Sequence, residues 1–199
     1  MPFVNRHDIL ETLPIGGRVL ILGPPNSRKT TSLLQWPRPL HILSYPGEKG
    51  HESIPRNLPD VHVYIWQVED PEKISAHTVV REVEQTTNKI LSGGYGPVTT
   101  FIGDGLHKLY GWHYRKAVVD LEENTLLTED VRAARAYGRT HDEFGFHLTR
   151  TLSSRVPYIG MSVWEGATKD DPLSKDKNAP QHIFPDLPGQ MAKRIVGEF

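Results

Sequence analysis

The chain has no cysteine. That excludes disulfides, thiolate metal sites and a cysteine nucleophile, and it fits a reducing, cytoplasmic setting. No stretch approaches the ~18–20 consecutive apolar residues that a membrane-spanning helix needs. Met1 to Glu11 mixes charged with apolar residues, so no secretory leader is read there. An excess of one charge is lacking too: 23 Lys and Arg face 24 Asp and Glu, for a formal net charge of −1. Without a global positive field, contact with nucleic acid or an anionic membrane would need a local patch. The 10 histidines show no HExxH or comparable ligand spacing, and no Gly-x-Ser-x-Gly elbow supports a hydrolase triad. There is no internal repeat and no low-complexity segment. These absences leave a soluble intracellular protein of 199 residues, the size of one domain, with 37% hydrophobic residues for an ordinary core.

What is present begins with residues 17–31, a short apolar strand running into a phosphate-binding loop and then a helix. Gly23 opens the loop, Pro24, Pro25, Asn26, Ser27 and Arg28 span it, and Lys29, Thr30 and Thr31 close it. The Walker A pattern asks for Gly, four residues, Gly, Lys, then Ser or Thr. Arg28 stands where the second Gly belongs. In such a loop backbone N–H groups surround the β-phosphate, Lys29 reaches the terminal phosphates, and the Thr30 hydroxyl ligates Mg²⁺. Arg28 admits three readings: a loss of function, a side chain turned outward and tolerated, or an added cation for phosphate.

Residues 18–22, 40–44, 61–66, 98–104 and 156–164 read as strands. Helices are expected from about Arg28 to Gln35, from an Asp70-Pro71 cap to Leu91, over 106–121 and 129–152, and from Pro188 to Val196. In the helix over 129–152, Tyr137, His141, Phe144, Leu148 and Leu152 share a face. Residues 165–182 are polar and turn-rich and read as a mobile loop before a short Ile183-Phe184 segment. Alternating strands and helices predict an α/β sandwich around a mainly parallel sheet, formed as a single unit over 1–199. Ligands bind such sheets at the carboxyl ends of the strands, so the loops after residues 22, 44, 103 and 163 should converge.

Asp104 ends its strand as a Walker B carboxylate does when it orients Mg²⁺, although the same position suits a cap for the next helix. Glu48 lies just past the second strand, where a carboxylate could polarise an attacking water. Pro46 to Gly50 is equally readable as a solvated turn, and Glu52 is a nearby substitute. Glu165, after Ser162-Val163-Trp164, either senses a γ-phosphate or begins the loop. The tryptophans at 36, 66, 112 and 164 read as packing residues, with Trp164 beside the loop the one to test for base stacking.

With these segments in view, the chain resembles the RecA-like P-loop ATPases of phages, related to the RecA/Rad51 recombinases and including single-strand annealing proteins. The resemblance lies in Gly23-Pro24-Pro25 with Lys29-Thr30-Thr31, in Trp36-Pro37-Arg38-Pro39-Leu40, in Thr100 to Leu106, and in Phe184-Pro185-Asp186-Leu187-Pro188-Gly189. It implies a three-layer RecA-like sandwich that binds ATP and Mg²⁺ through Lys29, Thr30 and Asp104, with Glu48 as the catalytic carboxylate. It also implies single-stranded DNA as partner at residues 165–182, assembly of several copies with Arg132, Arg135 or Arg139 as a finger in trans, and a further C-terminal tail. A non-hydrolysing P-loop scaffold for replication or packaging partners, and a small-molecule kinase, are the alternatives.

Overall fold

The computed structural model describes residues 16–24, 26–66, 74–122, 128–164 and 187. Five strands form one sheet in the order β1-β5-β4-β2-β3, all parallel. They are β1 (Gly17–Gly23), β2 (Leu40–Ser44), β3 (Val61–Ile65), β4 (Thr100–Asp104) and β5 (Tyr158–Trp164). The helices are α1 (Lys29–Leu33), α2 (Ala76–Leu91), α3 (Leu106–Glu122) and α4 (Glu129–Leu152). A short 3-10 helix (Gly50–Ser53) lies between β2 and β3.

Strand order decides the layers. From β1 to β2 to β3 the chain steps one way across the sheet; from β3 to β4 to β5 it steps back. Parallel crossovers are right-handed, so the two directions place their connections on opposite faces. Two apolar clusters match this. Leu33 of α1 and its C-cap Leu34 pack with Leu40, Ile42 and Ile102 on one face. On the other, α2, α3 and α4 pack with Leu43, Phe101, Ile159 and Met161. The alternation is the period of two along a strand: Ile42 and Leu43, or Phe101 and Ile102, are neighbours in sequence on opposite faces. Each fully buried Leu or Ile contributes about 1.5–3 kcal/mol through removal from water. Gly160 is required on the α1 face, because a Cβ there would lie 2.8 Å from Leu33 Cδ2.

The same alternation sets up the site. Asp104 shares its face with Thr100 and Ile102, Ser162 shares its face with Gly160, and both point toward α1 at the carboxyl end of the sheet. Arg18 locks the opposite end. Its guanidinium donates to the carbonyls of Leu152 at 2.8 Å, Ser154 at 3.1 Å and Pro157 at 2.8 Å, tying the end of α4 and the approach to β5 onto β1.

Two expectations change. The helix expected from Asp70-Pro71 starts later: Ser75 is extended at its N-cap and Ala76 is the first helical residue; Asp70 and Pro71 lie outside the described residues. On α4 Phe144, Leu148 and Leu152 are buried as expected, but the stripe also takes in Ala136, Thr140, His147 and Thr151, while Tyr137 is exposed and His141 half-buried. The expected loop over 165–182, Ile183-Phe184 and the Pro188–Val196 helix also fall outside the described residues.

Candidate functional site

A cleft of about 740 Å³ opens at the carboxyl edge of the sheet, between the loop after β1, the turn after β2 and the start of α3. That size suits a small-molecule ligand. The loop curls because two of its non-glycine residues take left-handed backbone angles, Asn26 at φ 64° and Arg28 at φ 61°. Arg28 is the N-cap of α1, with its side chain exposed at the cleft. The backbone conformation for which a second Gly is expected is therefore adopted by an arginine. A Cβ on Gly23 would lie 2.6 Å from Ser27 Oγ, so a side chain there would make the Ser27 hydroxyl turn aside. The Ser27 N–H closes the turn on the Pro24 carbonyl at 3.3 Å; left-handed residues in such a curl are the backbone geometry from which anion-binding concavities are built. Thr31 also lines the cleft, and Pro25 lies outside the described residues.

Lys29 does not face an open loop. Its Nζ donates to the carbonyls of Gly23 at 2.9 Å and Pro24 at 2.8 Å, with Ser27 Oγ at 3.4 Å. The ammonium thus holds the loop in shape from within. Its donors sit where a polyanion entering the curl would compete for them.

Thr30 and Asp104, 74 residues apart, meet directly: Thr30 Oγ1 donates to Asp104 Oδ1 at 2.8 Å. Ser162 donates to the same carboxylate oxygen and accepts from the Gly105 N–H at 3.0 Å. Asp104 is 1% exposed, and its Oδ2 is a buried oxygen without a hydrogen-bond partner among the described residues. A buried carboxylate oxygen left unpaired is costly unless a cation or donor completes it. Gly50, at the start of the 3-10 helix, lies over this oxygen; a Cβ would come 2.2 Å from Oδ2 and 2.7 Å from Thr30 Oγ1.

These groups fit a magnesium ion that is completed by phosphate and water. Mg²⁺ prefers oxygen ligands and takes only one or two from protein carboxylates. Asp104 offers an unsatisfied oxygen, and Thr30 keeps its lone pairs free because its hydroxyl donates its hydrogen bond to Asp104. Among the described residues there is no group of three or more His, Cys, Asp or Glu able to hold a metal alone. A shared site needs none.

Glu48 reaches the cleft from the turn after β2, with its side chain 13% exposed. It is not a solvated turn charge. Its Oε1 accepts from the Lys49 N–H at 3.1 Å, and its Oε2 has no hydrogen-bond partner among the described residues. Burial first, and then the charge of Asp104, push its carboxyl above the usual range. Glu52 sits at the cleft mouth and is exposed; Glu165 is outside the described residues.

The structure brings together Lys29, Thr30, Asp104 and Glu48, and adds residues that the sequence marks weakly. Ser162 has a readable signal, a hydroxyl inside the apolar strand YIGMSVW. Gly50 has none, since its role comes from one close approach in space. Of the three arginines of α4 considered as fingers, Arg139 is held by Asp120 at 2.6 Å and Glu143 at 2.8 Å, Arg132 is partly buried, and Arg135 is exposed. Among the described residues no helix is long and apolar enough to cross a membrane. No protein-family model matches the chain, and no curated protein matches it significantly.

Proposed function

We propose that this chain binds a nucleoside triphosphate with Mg²⁺ and hydrolyses it, as an ATPase of the RecA-like kind. One observation carries the reading. The hydroxyl that follows the loop lysine and the acid that ends β4 are hydrogen-bonded at 2.8 Å inside one cleft, so two motifs far apart in sequence form a single oxygen site. Mg²⁺ there would neutralise charge between the β- and γ-phosphates.

The protein's own groups divide the remaining work. The curled loop offers N–H donors to the phosphates, and Lys29 exchanges its carbonyl partners for phosphate oxygens. Ser162 and Thr30 fix the Asp104 carboxylate from two sides. Glu48 accepts a proton from water as it attacks, and its raised pKa makes it a better base than an ordinary carboxylate once ionised.

The biological side of the proposal rests on the motif resemblance alone: phage-type DNA recombination, repair or single-strand annealing, with single-stranded DNA as partner and several copies assembled. Among the three candidate fingers Arg135 is exposed, whereas Arg132 is partly buried and Arg139 is engaged by Asp120 and Glu143, so Arg135 is the one assigned to reach a neighbour. A non-hydrolysing scaffold is the second reading, favoured by the arginine at the loop's glycine position.

Calorimetry with Mg-ATP, followed by phosphate release with and without single-stranded DNA, tests both. Binding and turnover are expected, both lost in Lys29→Ala, with turnover lost and Mg-ATP binding reduced to that of metal-free ATP in Asp104→Asn. Binding without turnover would leave the scaffold, and no heat at millimolar Mg-ATP would overturn the nucleotide reading.

A further inference from the structure

The turn from β4 into α3 does more than end a strand with Asp104. Gly105 has φ +91°, and a Cβ on it would lie 2.9 Å from Glu48 Cβ, Cγ and Oε2. Glu48 therefore rests on the bare backbone of this turn. Two residues on, in the first turn of α3, His107 brings Nε2 to 3.7 Å from Glu48 Oε2. Both side chains are largely buried, at 7% and 13% exposure. Among the described residues neither His107 nitrogen has a hydrogen-bond partner, and neither has Glu48 Oε2. Two buried polar groups that face each other unsatisfied form an incomplete contact.

The His107 ring is held from behind. It lies against Trp164 at the end of β5, with centroids 4.3 Å apart and planes inclined by 30°. Lys108 Nζ sits 4.6 Å from the centroid of the same indole. The imidazole plane is thus supported by the indole, with Nε2 3.7 Å from the carboxylate oxygen. A shift of under about 1 Å would convert the contact to an ordinary hydrogen bond, as catalytic contacts often tighten when ligand binds.

We propose that His107 is the positioning residue for Glu48: its Nε2–H donates to Glu48 Oε2 and turns the carboxylate toward the attacking water. This rests on the ATPase reading above. Burial, with Lys108 and Lys29 nearby, holds His107 down to about 4, so a neutral imidazole is the donor at ordinary pH. A neutral donor orients the carboxylate without forming an ion pair that would weaken it as a base. The other charges facing the pair are Asp104, which raises Glu48, and Lys108, which opposes that rise.

Two substitutions separate orientation from packing. Phe at 107 keeps a ring against Trp164 but has no donor; Gln at 107 places an amide N–H near the lost Nε2. For His107→Phe, kcat should fall ten- to a hundredfold with KM for ATP within about twofold, while His107→Gln recovers to within a few-fold of the parent. Thermal melting checks that both variants are folded. Nucleotide-free protein gives a readout without turnover: long-range proton–nitrogen correlation should show His107 as the Nε2–H tautomer, shifting to a mixture in Glu48→Ala. Unchanged kcat in folded His107→Phe, equal losses in both variants, or a tautomer indifferent to Glu48 overturns the role. Wild-type protein that binds no Mg-ATP would instead take down the parent reading, whereas normal wild-type turnover with any of those three results removes only His107.

Discussion

Arg28 holds a backbone conformation, φ 61° and ψ 26°, that glycine fills at least cost. For an L-residue the left-handed region costs about 1–2 kcal/mol, partly offset because glycine has more freedom to lose on folding. Arg28→Gly should therefore stabilise the fold by about 0.5–1 kcal/mol, read as a higher urea midpoint at unchanged slope. A destabilised variant would mean that the arginine side chain makes a compensating contact. Gly50 presents the opposite case, because what restricts it is space. The atoms a Cβ would strike, Asp104 Oδ2 and Thr30 Oγ1, belong to side chains already fixed by hydrogen bonds and cannot swing aside cheaply. Gly50→Ala is expected to weaken Mg-ATP binding at least tenfold in calorimetry, with a smaller effect on ATP in the absence of Mg²⁺. Equal effects with and without the metal would place the damage in the loop instead.

At the scale of elements, the α3–α4 hairpin combines ion pairs on its surface with neutral histidines inside. Lys116 and Arg139 bridge Glu143 and Asp120, while His113 and His147 lie between the helices at 0% and 6% exposure. Burial pushes His113 down to about 4, with Glu143 partly opposing, and His147 down to about 3, with His113 and Arg150 adding to the effect. In the unfolded chain both titrate near the ordinary 6.5. The unfolded state therefore binds more protons below that pH, so stability is full above about 6.5 and is lost as pH falls toward 4. The slope is up to roughly 1.4 kcal/mol per pH unit for each histidine. Glu48 and Glu84, whose carboxyls burial raises, act in the opposite sense. The informative measurement is thus a comparison: denaturation between pH 6.5 and 4.5, where His147→Leu should flatten the fall seen in the parent. Parallel curves would show that His147 is already charged in the folded protein.

This hairpin also shows what the sequence pattern can and cannot reveal. The limits of α4 and its buried Phe144, Leu148 and Leu152 are legible from periodicity, but the rest of the stripe is not, because Thr140 and Thr151 look polar. Each hydroxyl bonds back to a carbonyl one turn earlier, Thr140 to Ala136 at 2.7 Å and Thr151 to His147 at 2.9 Å, and so packs as an apolar residue. The start of α2 misleads for a related reason: Asp70-Pro71 has the chemistry of a cap, yet Ser75 holds the position. Local preference marks where a helix could begin, and packing of Val79, Val80 and Val83 against the sheet selects where it does.

For the whole molecule, the decisive quantity is strand order, which no local pattern encodes. Lys29, Thr30, Asp104 and Glu48 stand out from motif spacing and strand ends, but their meeting with Ser162 depends on β5 lying between β1 and β4. Three connections then share one cleft, and ligand binding there should be felt by the entire sheet. A ligand held only by the folded state adds stability of RT ln(1 + [L]/Kd), about 2.7 kcal/mol at a hundredfold excess over Kd. For a domain of this size each kcal/mol raises the melting point by roughly 2–4 °C. Saturating Mg-ATP should accordingly raise the midpoint by about 5–10 °C, ATP with a chelator by clearly less, and Mg²⁺ alone by almost nothing, since Thr30 and Asp104 supply too few ligands without phosphate. Asp104→Asn should bring the Mg-ATP shift down to that of ATP with chelator, because its lost charge is what distinguishes the two ligands. A shift with Mg²⁺ alone as large as with Mg-ATP would point to a dedicated metal site, and to a different chemistry for this cleft.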